Sequence, residues 1–266
     1  MNLRWGIFAP CMNEATVIEA KIKWGLRLFD DVVILEGHHP QYTDHGENHL
    51  SNDGTTEILK SYADQITYIP FGEAQNEIIL RNEAYKALKK DLDVVIMSDI
   101  DEFILEKDLE YIDMLYQRNK DLKLTLTNSY IFLDKEYCAP HIRRKQSPPM
   151  AFSKDLNIHF GEWHERIFRY NKYYSYLVSP FLVNDLYGRF IFNDPYYFNE
   201  RQLLSDVYIL HYKNFKMDEA KKRLEMYNEY GDGVKHDDEF QQLEKDKIKY
   251  EGEHPKEIGD LLRDIK

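Results

Sequence analysis

Two hydrophobic periods alternate over the first hundred residues, and this pattern constrains the fold more than any other feature. Short apolar runs read as strands: Trp5-Gly6-Ile7-Phe8-Ala9, Asp31-Val32-Val33-Ile34-Leu35, Ile66-Thr67-Tyr68-Ile69 and Asp93-Val94-Val95-Ile96-Met97. Between the first two, Ile18, Ile22, Leu26 and Phe29 recur at helical spacing, and Leu80, Ala84 and Leu88 do the same between the last two. Strands and helices taking turns are the signature of a parallel sheet with helical crossovers. Runs apolar at every position, such as Val94-Val95-Ile96-Met97, belong where helices cover both faces. The expected fold class is therefore α/β, a three-layer α/β/α sandwich with a mostly parallel sheet, its first strand ended by Pro10.

Ligands of such sheets bind beyond the carboxyl ends of the strands. That rule singles out Pro10 to Glu14, Glu36 to Asp53, and Ser98 to Phe103. In the last of these, Asp99, Asp101 and Glu102 follow directly on a fully apolar strand. In extended backbone the side chains of Asp-X-Asp point to the same side. Magnesium or manganese bound to a diphosphate takes one or two carboxylates plus phosphate oxygens, so the run suits that chemistry. The plainer reading is a solvated turn.

Composition narrows the functions. Lysine and arginine total 35 against 47 acidic residues, a formal charge of -12, which argues against general affinity for nucleic acid or anionic lipid. Any phosphate must be captured locally. Cys11 and Cys138 provide neither a disulfide framework nor a paired zinc spacing, and read as buried small hydrophobes in a reducing compartment. No signal peptide opens the sequence, and no apolar stretch approaches the roughly 20 residues that span a bilayer. A cytoplasmic protein is expected, with peripheral membrane contact left open. With 266 residues there is room for one large domain, residues 1–215, with a nucleotide-facing half (1–105) and an aromatic-rich, acceptor-facing half (106–215). Residues 216–266 read as a charged helical extension.

Four short motifs now stand in order: Pro10-Cys11-Met12-Asn13-Glu14, Asp53-Gly54-Thr55-Thr56, Arg81-Asn82-Glu83-Ala84 and Asp99-Ile100-Asp101-Glu102-Phe103. Together they resemble the inverting, nucleotide-sugar-dependent glycosyltransferases of the GT-A fold, in particular the large family-two group. There the corresponding segments read Pro-X-X-Asn-Glu, Asp-Gly-Ser-Thr, Ala-Arg-Asn and Asp-X-Asp-Glu-Phe. The resemblance covers roughly the first 105 residues, and four ordered motifs are far more specific than any one.

The resemblance implies a hexosyltransferase that moves sugar from a UDP- or GDP-sugar to an acceptor hydroxyl on a glycan, a lipid-linked sugar or a protein, assisted by Mn2+ or Mg2+. It would place Pro10, Asn13 and Glu14 near the nucleoside, and Glu36 or Asp53 on the base or ribose. The family has those two features adjacent, whereas Gly37 to Asn52 separates them here. Arg81 would reach the donor or organise the carboxylates. Asp99 and Ile100 would meet the ribose or metal, and Asp101 the metal itself. Further on, Trp163-His164-Glu165-Arg166 is similar to the family's acceptor-side segment, with Trp163 and His164 facing the acceptor. Ile209-Leu210-His211-Tyr212 is similar to a later His-Tyr, making His211 a candidate metal ligand, and Gly252-Glu253-His254-Pro255 to a C-terminal His-Pro.

Inversion needs a carboxylate to take the acceptor's proton. Glu165 is the candidate base, with Glu102 and Glu162 as competitors and a salt bridge to Arg166 or Arg169 as the plainer reading. A nucleotidyltransferase would use similar carboxylates, but would need a Gly-rich basic loop after the first strand. A non-catalytic sugar-binding protein would have no need of metal ligands and a donor arginine together. The polar loop Gly37 to Gly54 holds His38, His39, His45 and His49, which invite zinc. Their spacing matches no standard site, and a lid over the donor is the better reading. Tyr196-Tyr197-Phe198 is a candidate for stacking on sugar rings.

Overall fold

The computed structural model describes residues 1–40, 42–122, 124–132, 135–140, 164–172, 175–176, 183–184, 202–212 and 245–264. By backbone contact the chain divides into two compact units: Met1–Leu126 with Glu165–Leu204 and His254–Lys266, and Thr127–His164 with Ser205–Glu253.

The first unit is built on β1 (Trp5–Cys11), β2 (Asp31–His38), β3 (Thr67–Glu73) and β4 (Val94–Met97), all parallel, in the spatial order β4-β1-β2-β3. A later strand, β8 (His164–Arg169), runs antiparallel along the outer edge of β4, with Val94 opposite Arg169 and Ile96 opposite Ile167. The helices α1 (Ile18–Leu28) and α3 (Glu77–Ala87) take opposite faces, which makes three layers. A side chain on Gly25 of α1 would meet Val32 and Ile7, and one on Gly6 would meet Leu88 and Leu92, just beyond α3. Ile7 and Gly6 are neighbours on one strand and so face opposite ways. Phe8, on the Gly6 side, packs edge-on to Tyr85 of α3 at 5.5 Å. The expected α/β/α sandwich is what the chain forms.

Three local expectations are corrected. Pro10 does not end β1: it lies inside the strand opposite Leu35, and the strand runs to Cys11. Its missing N–H is tolerated because β4 has already ended beside Phe8, which leaves pairing on the β2 side alone. Phe29 lies beyond α1 as an extended cap, and Leu26 is half-buried. The buried face of α1 instead carries Ile18, Lys21, Ile22, Trp24 and Gly25. Two helices escape the periodicity altogether: α2 (Thr55–Ser61) and α4 (Glu106–Arg118).

Beyond Glu36 the β2–β3 register shifts, and Gly37 pairs with Gly72. A Cβ on Gly37 would stand 2.5 Å from the Gly72 carbonyl oxygen, so only glycine admits this approach. A two-residue β5 (Glu102–Phe103) follows the turn after β4, and a small antiparallel ladder joins β9 (Ser175–Tyr176) to β10 (Val183–Asn184). At the C-terminal end α5 (Lys256–Asp264) buries Ile258 and Leu262. Its Glu257 accepts hydrogen bonds from Arg27 Nε at 2.7 Å and Nη2 at 3.2 Å, and the same guanidinium pairs with Glu106 of α4.

The second unit carries most of β6 (Leu124–Phe132), β7 (Tyr137–Pro140), most of β11 (Gln202–His211) and β12 (Ile248–Lys249). Antiparallel pairing links β12 to β7 and β7 to β6, and β11 pairs with β6. Stacked rings bind it: Tyr130 on Tyr208 at 4.2 Å and Phe132 on Tyr212 at 4.6 Å. Of the expected helical extension 216–266, only 245–264 are described, with β12 in the second unit and α5 in the first. Among the described residues no helix is long and apolar enough to cross a membrane.

Candidate functional site

The order β4-β1-β2-β3 reverses its direction of winding between β4 and β1, so the carboxyl ends of those two strands frame the crevice where such sheets bind ligands. The turn after β1 is Met12-Asn13-Glu14 and the turn after β4 is Ser98 to Glu102. The Ser98 N–H donates to the Phe8 carbonyl at 3.1 Å and fastens the second turn to the first strand.

The acidic turn is not solvated. Asp101 is 8% exposed and Glu102 2%, and three cations buried to nearly the same degree surround them: Lys21, Arg81 and Arg166. Lys21 Nζ donates to Ser98 Oγ at 2.6 Å and to the Glu102 carbonyl, and lies 4.5 Å over the Trp24 ring. Arg166 Nη2 reaches Asp99 Oδ2 at 2.8 Å and Glu102 Oε1 at 2.7 Å. Arg81 Nη2 approaches Asp99 Oδ1 at 3.4 Å and also pairs with Glu77. Glu102 closes the turn: its carboxylate accepts from the Asp99 N–H at 3.0 Å, and its own N–H donates to the Asp99 carbonyl at 3.1 Å. Burying ions is costly unless they are matched in charge and hydrogen-bonded, and here Arg166 pairs with Asp99 and Glu102, and Arg81 with Asp99 and Glu77.

Burial pushes Lys21 down to about 7, against the opposing pull of Glu102, Asp101 and Asp99. Neither Lys21 nor the part played by Arg166 was anticipated. Lys21 lies one helical turn after Ile18, on the apolar face of α1, and that position was the available signal.

At the end of β1, Asn13 takes a left-handed backbone, φ 53°, and ties down the long loop. Its side chain donates to the Asp44 carbonyl at 2.7 Å and to Tyr42 Oη at 3.3 Å, and accepts from the Asn52 N–H at 2.9 Å. Glu14 is buried, and its N–H donates to Thr55 Oγ1 at 2.7 Å. Thr55 Oγ1 in turn donates to Asp53 at 2.6 Å, and Asp53 also accepts from the Ala15 N–H at 3.0 Å. Glu36 is fully buried and accepts from the Ser51 N–H at 3.0 Å, Thr56 Oγ1 at 2.6 Å and the Tyr68 hydroxyl. Both acidic residues offered for the nucleoside are thus fastening the loop and the start of α2. Burial, then Glu36, Glu14 and Asp53, raise the Cys11 thiol well above its usual value and keep it protonated.

Glu36→Gln is expected to cost about 2 kcal/mol, because an amide cannot accept all three donors. The thermal midpoint should fall by about 4–8 °C. An unchanged melting curve would show that these contacts do not hold the loop.

Thus Pro10, Asn13, Glu14, Glu36, Asp53, Arg81, Asp99, Ile100 and Asp101 all belong to the first unit, in or just beyond its strands, on α3 or, for Asp53, just before α2. His211 ends β11 in the second unit. Trp163, Glu162 and Tyr196-Tyr197-Phe198 lie outside the described residues. His164 and Glu165 open β8, with their side chains outside them. Asp99 and Asp101 offer the hard oxygens that Mn2+ or Mg2+ takes. Among the described residues neither belongs to a group of three or more clustered metal-binding side chains, so a cation there would need oxygens from its ligand as well.

The chain matches no protein-family model and no curated protein sequence. Its fold is similar to several solved structures. TarS 1–349 of S. aureus has a TM-score of 0.38 at 13% identity, over 82% of this chain and 63% of that one. Glucosyl-3-phosphoglycerate synthase from Mycobacterium tuberculosis, solved with Mn2+, uridine diphosphate and glucosyl-3-phosphoglycerate, has a TM-score of 0.34 at 13% identity, over 49% of this chain and 45% of that one. The mannosyltransferase PcManGT from Pyrobaculum calidifontis, solved with GDP-Man and Mn2+, has a TM-score of 0.44 at 12% identity, over 99% of this chain and 69% of that one. The chain spans less than two thirds of the length of the first two of these proteins.

Proposed function

We propose that the protein is a metal-assisted, inverting glycosyltransferase that uses a UDP- or GDP-sugar. The observation that carries this reading is the turn Ser98 to Glu102, built at the crevice between β1 and β4 from carboxylates that buried cations hold in place. A solvated turn would not engage Lys21, Arg81 and Arg166. The order of the four motifs supports the same reading.

Asp101, with Asp99 beside it, would hold Mn2+ or Mg2+. The cation would supply charge stabilisation to the departing diphosphate. Asp101 is the proposed principal ligand, and Asp99, whose oxygens face Arg81 and Arg166, serves the ribose or shares the cation. Asn13 and the loop it anchors would border the nucleoside. Glu165 is the proposed base. Glu102 is a poor competitor, because Arg166 and the Asp99 N–H occupy its oxygens.

The test is turnover of a panel of UDP- and GDP-sugars with and without Mn2+, together with binding calorimetry. Metal-dependent release of nucleoside diphosphate is expected, and Glu165→Gln should lower kcat by roughly 10²-fold or more while leaving donor affinity intact. Neither binding nor turnover from any donor would sink the reading. Release of pyrophosphate from a nucleoside triphosphate would replace it with the nucleotidyltransferase.

A further inference from the structure

Away from the acidic turn, the fold gathers three histidines. His38 ends β2, and His45 and His49 lie in the loop that follows, His49 in a short 3-10 turn. Their rings pack together, His38 on His45 at 4.6 Å and 14°, and His45 on His49 at 4.6 Å. One nitrogen from each lies within 4.8 Å of the others.

Hydrogen bonds fix how the rings are used. His38 Nδ1 sits 2.8 Å from the His39 carbonyl oxygen, and His45 Nδ1 sits 3.1 Å from that of Gly46. A carbonyl can only accept, so in both rings Nδ1 carries the proton and Nε2 the lone pair. His49 Nδ1 lies 3.5 Å from the Glu73 carboxylate. Imidazoles that ligate metals use this arrangement: one nitrogen is held by a carbonyl or carboxylate and the other turned to the ion. His38 is 2% exposed, and its Nε2 is buried with no hydrogen-bond partner among the described residues. Ring stacking accounts for the contact between faces but leaves that nitrogen unsatisfied, a deficit a metal bond would remove.

We propose that His38, His45 and His49 form a site for one borderline divalent transition ion, Zn2+ first among them, separate from the Asp99–Asp101 site. Three imidazole nitrogens select zinc, cobalt or nickel over magnesium and manganese, and a tetrahedral ion would retain one exchangeable position. At metal–nitrogen bonds of about 2.0 Å, tetrahedral ligands stand about 3.3 Å apart. The widest nitrogen gap must close to that distance, and half-buried His45 and exposed His49 have room to turn. The bound ion would join the end of β2 to the loop that also contacts Asn13 and Glu36, setting that loop's conformation.

The test uses the full chain stripped by chelator, then titrated with Zn2+ by calorimetry, with Co2+ as an optical probe. One equivalent should bind, with the visible absorption of a tetrahedral cobalt centre. The paired substitution His45→Ala and His49→Ala, at accessible positions, should weaken zinc binding at least about 100-fold with the circular dichroism unchanged. Glu73→Gln should weaken it by about tenfold. Binding should persist in Asp101→Ala and in His39→Ala. Absence of stoichiometric zinc binding overturns the proposal, as does binding that survives loss of both histidines or disappears with Asp101.

Discussion

Asp101→Ala is expected to reduce metal-dependent turnover of the nucleotide sugar by roughly 10²–10³-fold, the loss of several kcal/mol of charge stabilisation in the transition state. Asp101 is itself buried, so its loss also costs stability, and the rate is to be read at a temperature where the variant is folded. The metal concentration for half-maximal rate should rise at the same time. Asp99→Asn should be milder for the metal but harmful to packing, because it weakens the pairing of two buried guanidinium groups, leaving Arg81 with Glu77 and Arg166 with Glu102. Initial rates over a manganese series, alongside melting curves, separate the two. Full activity of Asp101→Ala would remove the residue from the site.

Lys21→Met has the largest expected effect on stability. Methionine fills the volume but gives no hydrogen bond to Ser98 Oγ or the Glu102 carbonyl, and leaves three carboxylates facing two cations. A loss of roughly 3 kcal/mol follows from leaving the buried Ser98 hydroxyl and Glu102 carbonyl without this donor, which lowers the midpoint by about 6–12 °C. The pH dependence has a definite sign. In the unfolded chain lysine titrates near 10.4, whereas in the folded protein Lys21 is pushed down to about 7. Between these values the unfolded state holds the extra proton, so Lys21 makes stability rise with pH through that window and contributes no slope below it. The variant lacks this term. Urea melts at pH 6.5 and 9.5 should therefore show the gap between the two proteins widening with pH. A constant gap would mean that Lys21 keeps its ordinary affinity for protons.

The strands were legible because a sheet covered on both faces needs apolar residues at consecutive positions, and Val94-Val95-Ile96-Met97 has no other economical use. The acidic turn was legible for the same reason, as it follows directly on such a strand. Lys21 was not, since a lysine on an amphipathic helix ordinarily lies in water and only the packed structure shows it turned inward. Arg166 meets Asp99 across 67 positions of sequence, a pairing set by the antiparallel docking of β8 on β4. In the sequence the stretch Gly37 to Asn52 leaves the choice between Glu36 and Asp53 for the nucleoside open. In the structure both carboxylates accept hydrogen bonds from the loop or the start of α2. The histidines of the loop were legible as residues that invite zinc, but which of them meet was not, because their spacing follows a loop path rather than a repeat. His38 and His45 meet only after the chain turns back beyond β2.

The first unit is assembled from three separate stretches of chain, and this bears on how it is made. On the ribosome the acidic turn emerges before Arg166, by 166 − 102 = 64 residues, which takes roughly 3–13 s at ordinary elongation rates. During that interval the carboxylates have Lys21 and Arg81 alone, and the edge of β4 that β8 will cover is open to another strand. The last fastening, Glu257 to Arg27 of α1, waits for a further 257 − 166 = 91 residues. Nascent chains stalled before Arg166 should accordingly be the ones that chaperones hold longest.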